Sequence, residues 1–175
     1  MARPGLHHRA KTPAWALAAT LILRAGAAQA QADAGEALAD LLFARCLPAM
    51  ATGTTLNTDG LQRLDAAQAR FLLADAVSYE DFILPGTSAV LQNIAPNACG
   101  VTAVSAGPFP AFEQTFRSFV GTKDDPFTLI ETFTEHNGGE TEHYRAQMPV
   151  GTIVILRSVA GTSGRIAITV GRLKD

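Results

Sequence analysis

The chain has 175 residues, of which 47% are hydrophobic and 17% charged. That is enough for one globular domain and too apolar for wholesale disorder. Fifteen glycines and nine prolines occur without a period, which excludes a collagen-like or low-complexity chain, and no unit of roughly 20–50 residues repeats, which excludes a solenoid.

The first thirty residues read as a secretory signal peptide. Arg3, Arg9 and Lys11 give a positive start, an apolar stretch covers residues 14–23, and Ala28-Gln29-Ala30 offers small residues at the two positions a signal peptidase reads. The apolar stretch is about half of the ~20 residues that span a bilayer, so stable membrane insertion after signal removal is not expected. Arg24 interrupts its end, and Ala30-Gln31-Ala32 is a second exit, so cleavage after Ala30 or Ala32 is expected. No cysteine stands at the cleavage point and no twin-arginine pair precedes it, which points to the ordinary secretory route. The reading therefore divides the chain into a signal peptide, 1–30, and one domain, 31–175, in the periplasm or secreted. The signal holds Arg3, Arg9, Lys11 and Arg24 and no acid, so ten of the fourteen basic residues remain against sixteen acidic ones, a net charge of −6. An acidic domain without a basic stripe repels a phosphate backbone, and nucleic acid is not an expected partner. The single tryptophan, Trp15, leaves with the signal, which leaves few aromatic platforms for carbohydrate.

The mature chain opens with a helix pattern over 36–47, ending near Pro48, whose apolar face is Leu38, Leu41, Leu42, Cys46 and Ala49. Residues 51–59 are polar and rich in Gly and Thr, a loop. A second helix is expected over 61–75. Asp65 and Gln68 have capping-box spacing, so the true start is placed either at 61 or at Asp65, with 60–64 a separate turn. Leu64, Ala67, Phe71 and Leu72 form its apolar stripe. Short strands are expected at 81–84, 88–94 and 99–105, broken by Pro85-Gly86 and Pro96-Asn97. A helix follows in which Phe109, Phe112, Phe116, Phe119 and Val120 recur at three- and four-residue steps, and Gly121 is its expected C-terminal cap. Such a stripe is read as core rather than as a ligand groove. Four strands end the chain, at 127–135, 141–148, 152–159 and 165–172, joined by Asn137-Gly138-Gly139 and by the loop 160–164. The expected fold is α+β: a largely antiparallel sheet of about 6–7 strands, with two N-terminal helices and one Phe-rich helix packed on one face.

Cys46 and Cys99 are the only cysteines. In an oxidising compartment an even pair reads first as a disulfide. The alternatives are two buried free thiols, or a nucleophilic Cys99 activated by His136 or His143.

Motifs for nucleotide, phosphate-loop, metalloprotease and serine-hydrolase chemistry are absent, and no cofactor is implied. His136 and His143 are the only histidines after the signal, so a three-histidine metal site cannot be made within one chain. They lie in the polar run Glu135-His136-Asn137-Gly138-Gly139-Glu140-Thr141-Glu142-His143. With a two-residue turn, at Gly138-Gly139 or Asn137-Gly138, both imidazoles share a face because the side-chain period is two. His136, His143, Glu135, Glu140 and Glu142, together with Glu131, are then candidate contacts for a divalent ion or a partner, against the plainer reading of a solvated hairpin tip. Glu80-Asp81 and Asp124-Asp125 are sequence neighbours; neighbours on a strand point to opposite faces, so Glu80 and Asp81 are not expected to act together.

The order of signal peptide, helix ending in Phe43-x-x-Cys46-Leu47, and strand Cys99-Gly100-Val101 resembles an uncharacterised family of small exported proteins of Gram-negative bacteria, over most of residues 38–171. The resemblance implies export and pairing of the two cysteines and brings no activity with it. The expected function is an exported cell-envelope domain that binds an envelope protein or small ligand without catalysis. The alternative is a small hydrolase or transferase using His136 or His143 with nearby carboxylates.

Overall fold

The structure is a computed structural model; it describes residues 34–73, 80–104, 109–121, 127–136, 138–160 and 164–173. The signal peptide and its exits, Asn137, Asp124-Asp125, the tip 161–163 and the side chains of Phe71 and Leu72 lie outside the described residues.

Residues 34–52 form one helix, α1. Its middle, Asp40–Cys46, is wound as a π-helix, and Leu47–Thr52 returns to α geometry. The sequence reading stops this helix near Pro48, but the helix runs through it. A proline ring clashes with the carbonyl four residues back and offers no N–H. The wider π turn just before Pro48, with the Leu47 N–H bonded to the Leu42 carbonyl, makes room for the ring. Gly53 ends α1 at φ 75°, where its N–H reaches the Ala49 carbonyl at 2.9 Å.

Gln62–Arg63 form a two-residue strand, β1, and helix α2 covers Ala66–Leu73. Asp65 Oδ1 accepts from the N–H groups of Ala67 (2.9 Å) and Gln68 (2.8 Å), while Gln68 Oε1 accepts from the Asp65 N–H at 3.1 Å. This reciprocal box places the helix start at Asp65, the second of the two positions read from sequence. The remaining elements are β2 (Glu80–Ile83), β3 (Ala89–Ala95), β4 (Ala98–Val104), α3 (Pro110–Val120), β5 (Thr128–Thr134), β6 (Glu140–Met148), β7 (Gly151–Val159) and β8 (Arg165–Leu173).

The strands make one eight-stranded, fully antiparallel sheet in the order β1-β2-β3-β4-β8-β7-β6-β5. Two meanders, β1 to β4 and β5 to β8, meet where β4 pairs with β8. The α+β class holds, with a strand count slightly above expectation. The extra strand is β1, too short to leave an alternation pattern.

Alternation decides which face is core. Leu91, Cys99, Val101, Ile166, Ile168, Val170, Ile153, Ile155 and Tyr144 share one face and are buried with Leu38, Leu41 and Leu42 of α1 and Phe112 and Phe116 of α3. Phe43 stands against Phe119 at 5.0 Å and Phe116 edge-on to Tyr144 at 5.6 Å, so the phenylalanine stripe packs α3 onto α1 and the sheet. The Cys46–Cys99 disulfide ties α1 to β4, with Cα atoms 5.8 Å apart and both residues fully buried. Gly121 does cap α3, but not through a left-handed φ: it sits at −113°, and a Cβ there would lie 2.7 Å from the Arg117 carbonyl oxygen. The position excludes a side chain for lack of space.

Beyond the main core, Arg165, on the opposite face, donates to the Leu73 carbonyl at 3.1 Å and fastens the end of α2 to β8. At the sheet edge all seven β5 residues are exposed, Leu129, Ile130 and Phe133 among them. A bulge between Leu129 and Glu131 interrupts its ladder, a device that blunts an edge strand against chance pairing.

Candidate functional site

Among the described residues, three places that gather polar side chains are candidate sites. The first lies under α3. Glu142 of β6 and Arg157 of β7 are cross-strand partners on the core face, each side chain only 5% exposed. Arg157 Nη1 donates to Glu142 Oε2 at 2.8 Å, and Arg117 Nη2 of α3 reaches Glu142 Oε1 at 2.6 Å. Arg157 Nη2 also pairs with Glu113, one turn earlier on α3, and the Arg157 guanidinium stands 5.5 Å from the Phe116 ring centre. Arg117 Nη1 donates to the Tyr144 hydroxyl at 2.7 Å. Arg157 Nε is buried without a partner among the described residues. Burial works against the charge on Arg117, but the hydrogen bond and charge of Glu142 outweigh it and hold the guanidinium more firmly protonated. The cluster pins α3 over the β6–β7 pair, with Glu142 and Arg157 buried and Arg117 half in solvent.

Tyr144 gives this cluster a pH signature. Its hydroxyl is held above the ordinary value, first because burial disfavours the phenolate and then because Glu142 repels it. A pKa raised in the folded state contributes stability below the unfolded value of about 10 that is lost as pH rises through the folded value. Urea midpoints measured upward from about pH 9 are expected to fall, and less steeply in Tyr144→Phe. Equal alkaline slopes would contradict the assignment.

The second place is the β5–β6 hairpin. Thr134 pairs with Glu140, so the connection has five residues, 135–139, not two. It closes through the Glu135 N–H on the Gly139 carbonyl (2.8 Å) and the Gly138 N–H on the Glu135 carbonyl (3.0 Å). Gly138 at φ 77° makes the wider loop possible. His136 is exposed in this loop, beyond the ladder, and shares no strand face with His143. His143 Nδ1 lies 3.1 Å from Glu131 Oε1, its side chain 23% exposed and its Nε2 buried without a partner among the described residues. Glu135 accepts from the Thr141 hydroxyl at 2.6 Å, Glu140 is exposed, and Glu142 points to the opposite face of the sheet from His143. The residues named from sequence are thus distributed over the loop and two faces. Among the described residues no three His, Cys, Asp or Glu side chains converge as metal ligands. His136→Ala is expected to change stability by less than about 0.5 kcal/mol. Zn²⁺ titration calorimetry is expected to give the same negligible heat for wild type and for the double His136→Ala, His143→Ala variant. A stoichiometric heat lost in the variant would restore the metal reading.

The third place was not found by sequence reasoning. A cleft of about 450 Å³ opens between the loop after α1 and the ends of β2 and β3. It is lined by Gly53, Thr55 and Thr58 of the loop, by Glu80, Phe82 and Asn93 of the strands, and by the nearly buried Met50 of α1. The loop is held at both ends. Gly53 turns the chain out of α1 at φ 75°, and Arg45, bonded to Asp40 at 2.9 Å, donates to the Asp59 carbonyl at 2.7 Å. The Asp59 N–H closes a further turn on Asn57 Oδ1 at 2.9 Å. Across the cleft, Asn93 is the last β3 residue in register before a bulge that separates it from Ala95. A bulge bends its strand, and Ala95 and Pro96 beyond it still line the cleft. Glu80, the charged residue among the described lining, is paired with Arg63 at 3.2 Å. The side chains of Asn93, Thr55 and Thr58 make no hydrogen bond within the protein among the described residues.

No known family model matches the chain, and no curated protein matches it. No helix among the described residues is long and apolar enough to cross a membrane.

Proposed function

We propose that the protein is an exported cell-envelope binding module whose ligand site is the cleft between the loop after α1 and strands β2 and β3. The observation that carries this reading is the preformed cleft itself: about 450 Å³, braced at both ends of its loop, with neutral hydrogen-bonding groups left unengaged beside the half-buried Phe82 ring. Concave sites of this size with a few polar groups on an apolar lining are the usual form of small-ligand sites. The signal-peptide pattern of residues 1–30 and the buried Cys46–Cys99 bond support an oxidising, extracytoplasmic home, periplasmic or secreted. The short motifs around Cys46 and Cys99, with their resemblance to small exported Gram-negative proteins, support the same placement.

The test is thermal unfolding of the mature protein with and without the low-molecular-mass fraction of an envelope extract. A ligand present at a hundred times its dissociation constant adds about 2.7 kcal/mol, which raises the midpoint by several degrees. Ala95→Trp fills the cleft and is expected to abolish the shift. An extract that moves neither protein, or moves both equally, refutes the assignment of the site.

A further inference from the structure

From the chemistry of the cleft we infer that its ligand is a neutral saccharide of one or two rings, an inference that rests on the cleft being a binding site. The side chains free to recognise a ligand are two hydroxyls, Thr55 and Thr58, and one carboxamide, Asn93. Each both donates and accepts hydrogen bonds. A ligand rich in hydroxyls, which also donate and accept, satisfies such a set from either side. A carboxylate or phosphate only accepts and leaves the accepting half of this set unused, although the Arg172 guanidinium stands against Gly53 of the lining. A cationic amine gains little either: Glu80 is the acidic group at the cleft, and Arg63 already neutralises it at 3.2 Å.

An apolar surface completes the match. Phe82 presents it in the cleft, and the C–H face of a pyranose ring packs against it while its rim of hydroxyls meets the polar lining; Met50, 3% exposed, adds little to that surface. Phe82 is half-buried, fixed by register opposite Leu91, and supplies the aromatic surface that composition alone made scarce. The volume of about 450 Å³ lies in the lower half of the roughly 300–1,000 Å³ of small-molecule sites, suited to one or two rings and not to a longer glycan.

The experiment is amide NMR of the isotope-labelled mature protein, titrated separately with maltose, N,N′-diacetylchitobiose, inorganic phosphate and putrescine. At least one of the two sugars is expected to shift amides of residues 53–58 and 93–95 in a saturable manner. Asn93→Leu and Thr55→Val are each expected to raise its apparent dissociation constant at least tenfold, with amide shifts on β6–β8 unchanged as evidence of an intact fold. Sugar binding that is equally strong in both variants overturns the inference. Shifts at the cleft from phosphate or putrescine without shifts from either sugar also overturn it and leave the binding module standing. So does silence from all four probes alongside stabilisation by envelope extract that Ala95→Trp abolishes. Silence from all four with no such stabilisation removes both readings.

Discussion

Replacing Cys46 and Cys99 together by alanine is expected to lower the stability of the mature protein by about 4 kcal/mol. The bond closes a loop across 53 positions of sequence, and without it the unfolded chain regains the freedom that closure removes. Because both residues are fully buried between α1 and β4, the smaller alanines also forfeit contacts in the core. The loss is a large share of the roughly 5–15 kcal/mol that holds a domain together, and corresponds to a fall of about 10 °C in melting temperature. Urea unfolding of both proteins with and without reductant isolates the cause. Reductant is expected to bring wild type most of the way down to the variant, short of the core contacts that alanine forfeits, and to leave the variant unmoved. A double variant within about 1 kcal/mol of wild type would show that α1 is held on the sheet by packing alone.

Most of the scaffold was legible because its signals are local and repeat. Strands β3, β4, β5, β7 and β8 carry their own branched residues, turn residues mark the breaks between strands, and the Phe109-to-Val120 stripe has one helical period. The Asp65–Gln68 box is a four-residue signal, and the structure realises it through three hydrogen bonds. Pro48 misled because the rule for proline assumes α winding, whereas the turn before it is π-wound. The hairpin misled for a similar reason. Gly138-Gly139 permits a tight turn but does not impose one, and Thr134 opposite Glu140 leaves five residues to close the loop. The cleft was illegible because its walls lie far apart in sequence: Thr55 and Asn93 meet only once α1 is docked and β3 has bulged. The buried charges did leave a trace. Arg157 occupies the same alternating set as Ile153 and Ile155, and Glu142 the same set as Tyr144 and Ala146. A charge in phase with the apolar face of a strand signals a buried ion pair, and two such charges on neighbouring strands name their partners.

Arg157→Met is accordingly expected to cost about 3–5 kcal/mol, because it strands a carboxylate that has left water. Glu142 would keep Arg117, whose guanidinium is half in solvent, but would lose the partner buried with it at 2.8 Å. Desolvating Glu142 and Arg157 is costly in itself, and Arg157 Nε already lacks a partner among the described residues, so the pair need not add net stability over apolar residues of the same size. The double variant Glu142→Leu, Arg157→Met is therefore expected to fall within about 1 kcal/mol of wild type, with the introduced methionine against the Phe116 ring and the introduced leucine beside Tyr144. Chemical denaturation of wild type, both single variants and the double variant closes the cycle, and a coupling energy of about 2 kcal/mol or more is expected. If the two single losses simply add in the double variant, the charges act separately and the cluster does not orient α3 as a unit. If they couple, the network under α3 selects one seating of the helix over β6 and β7 that an apolar interface would leave less sharply defined. In that case the double variant, though stable, is expected to show broadened amide signals along α3.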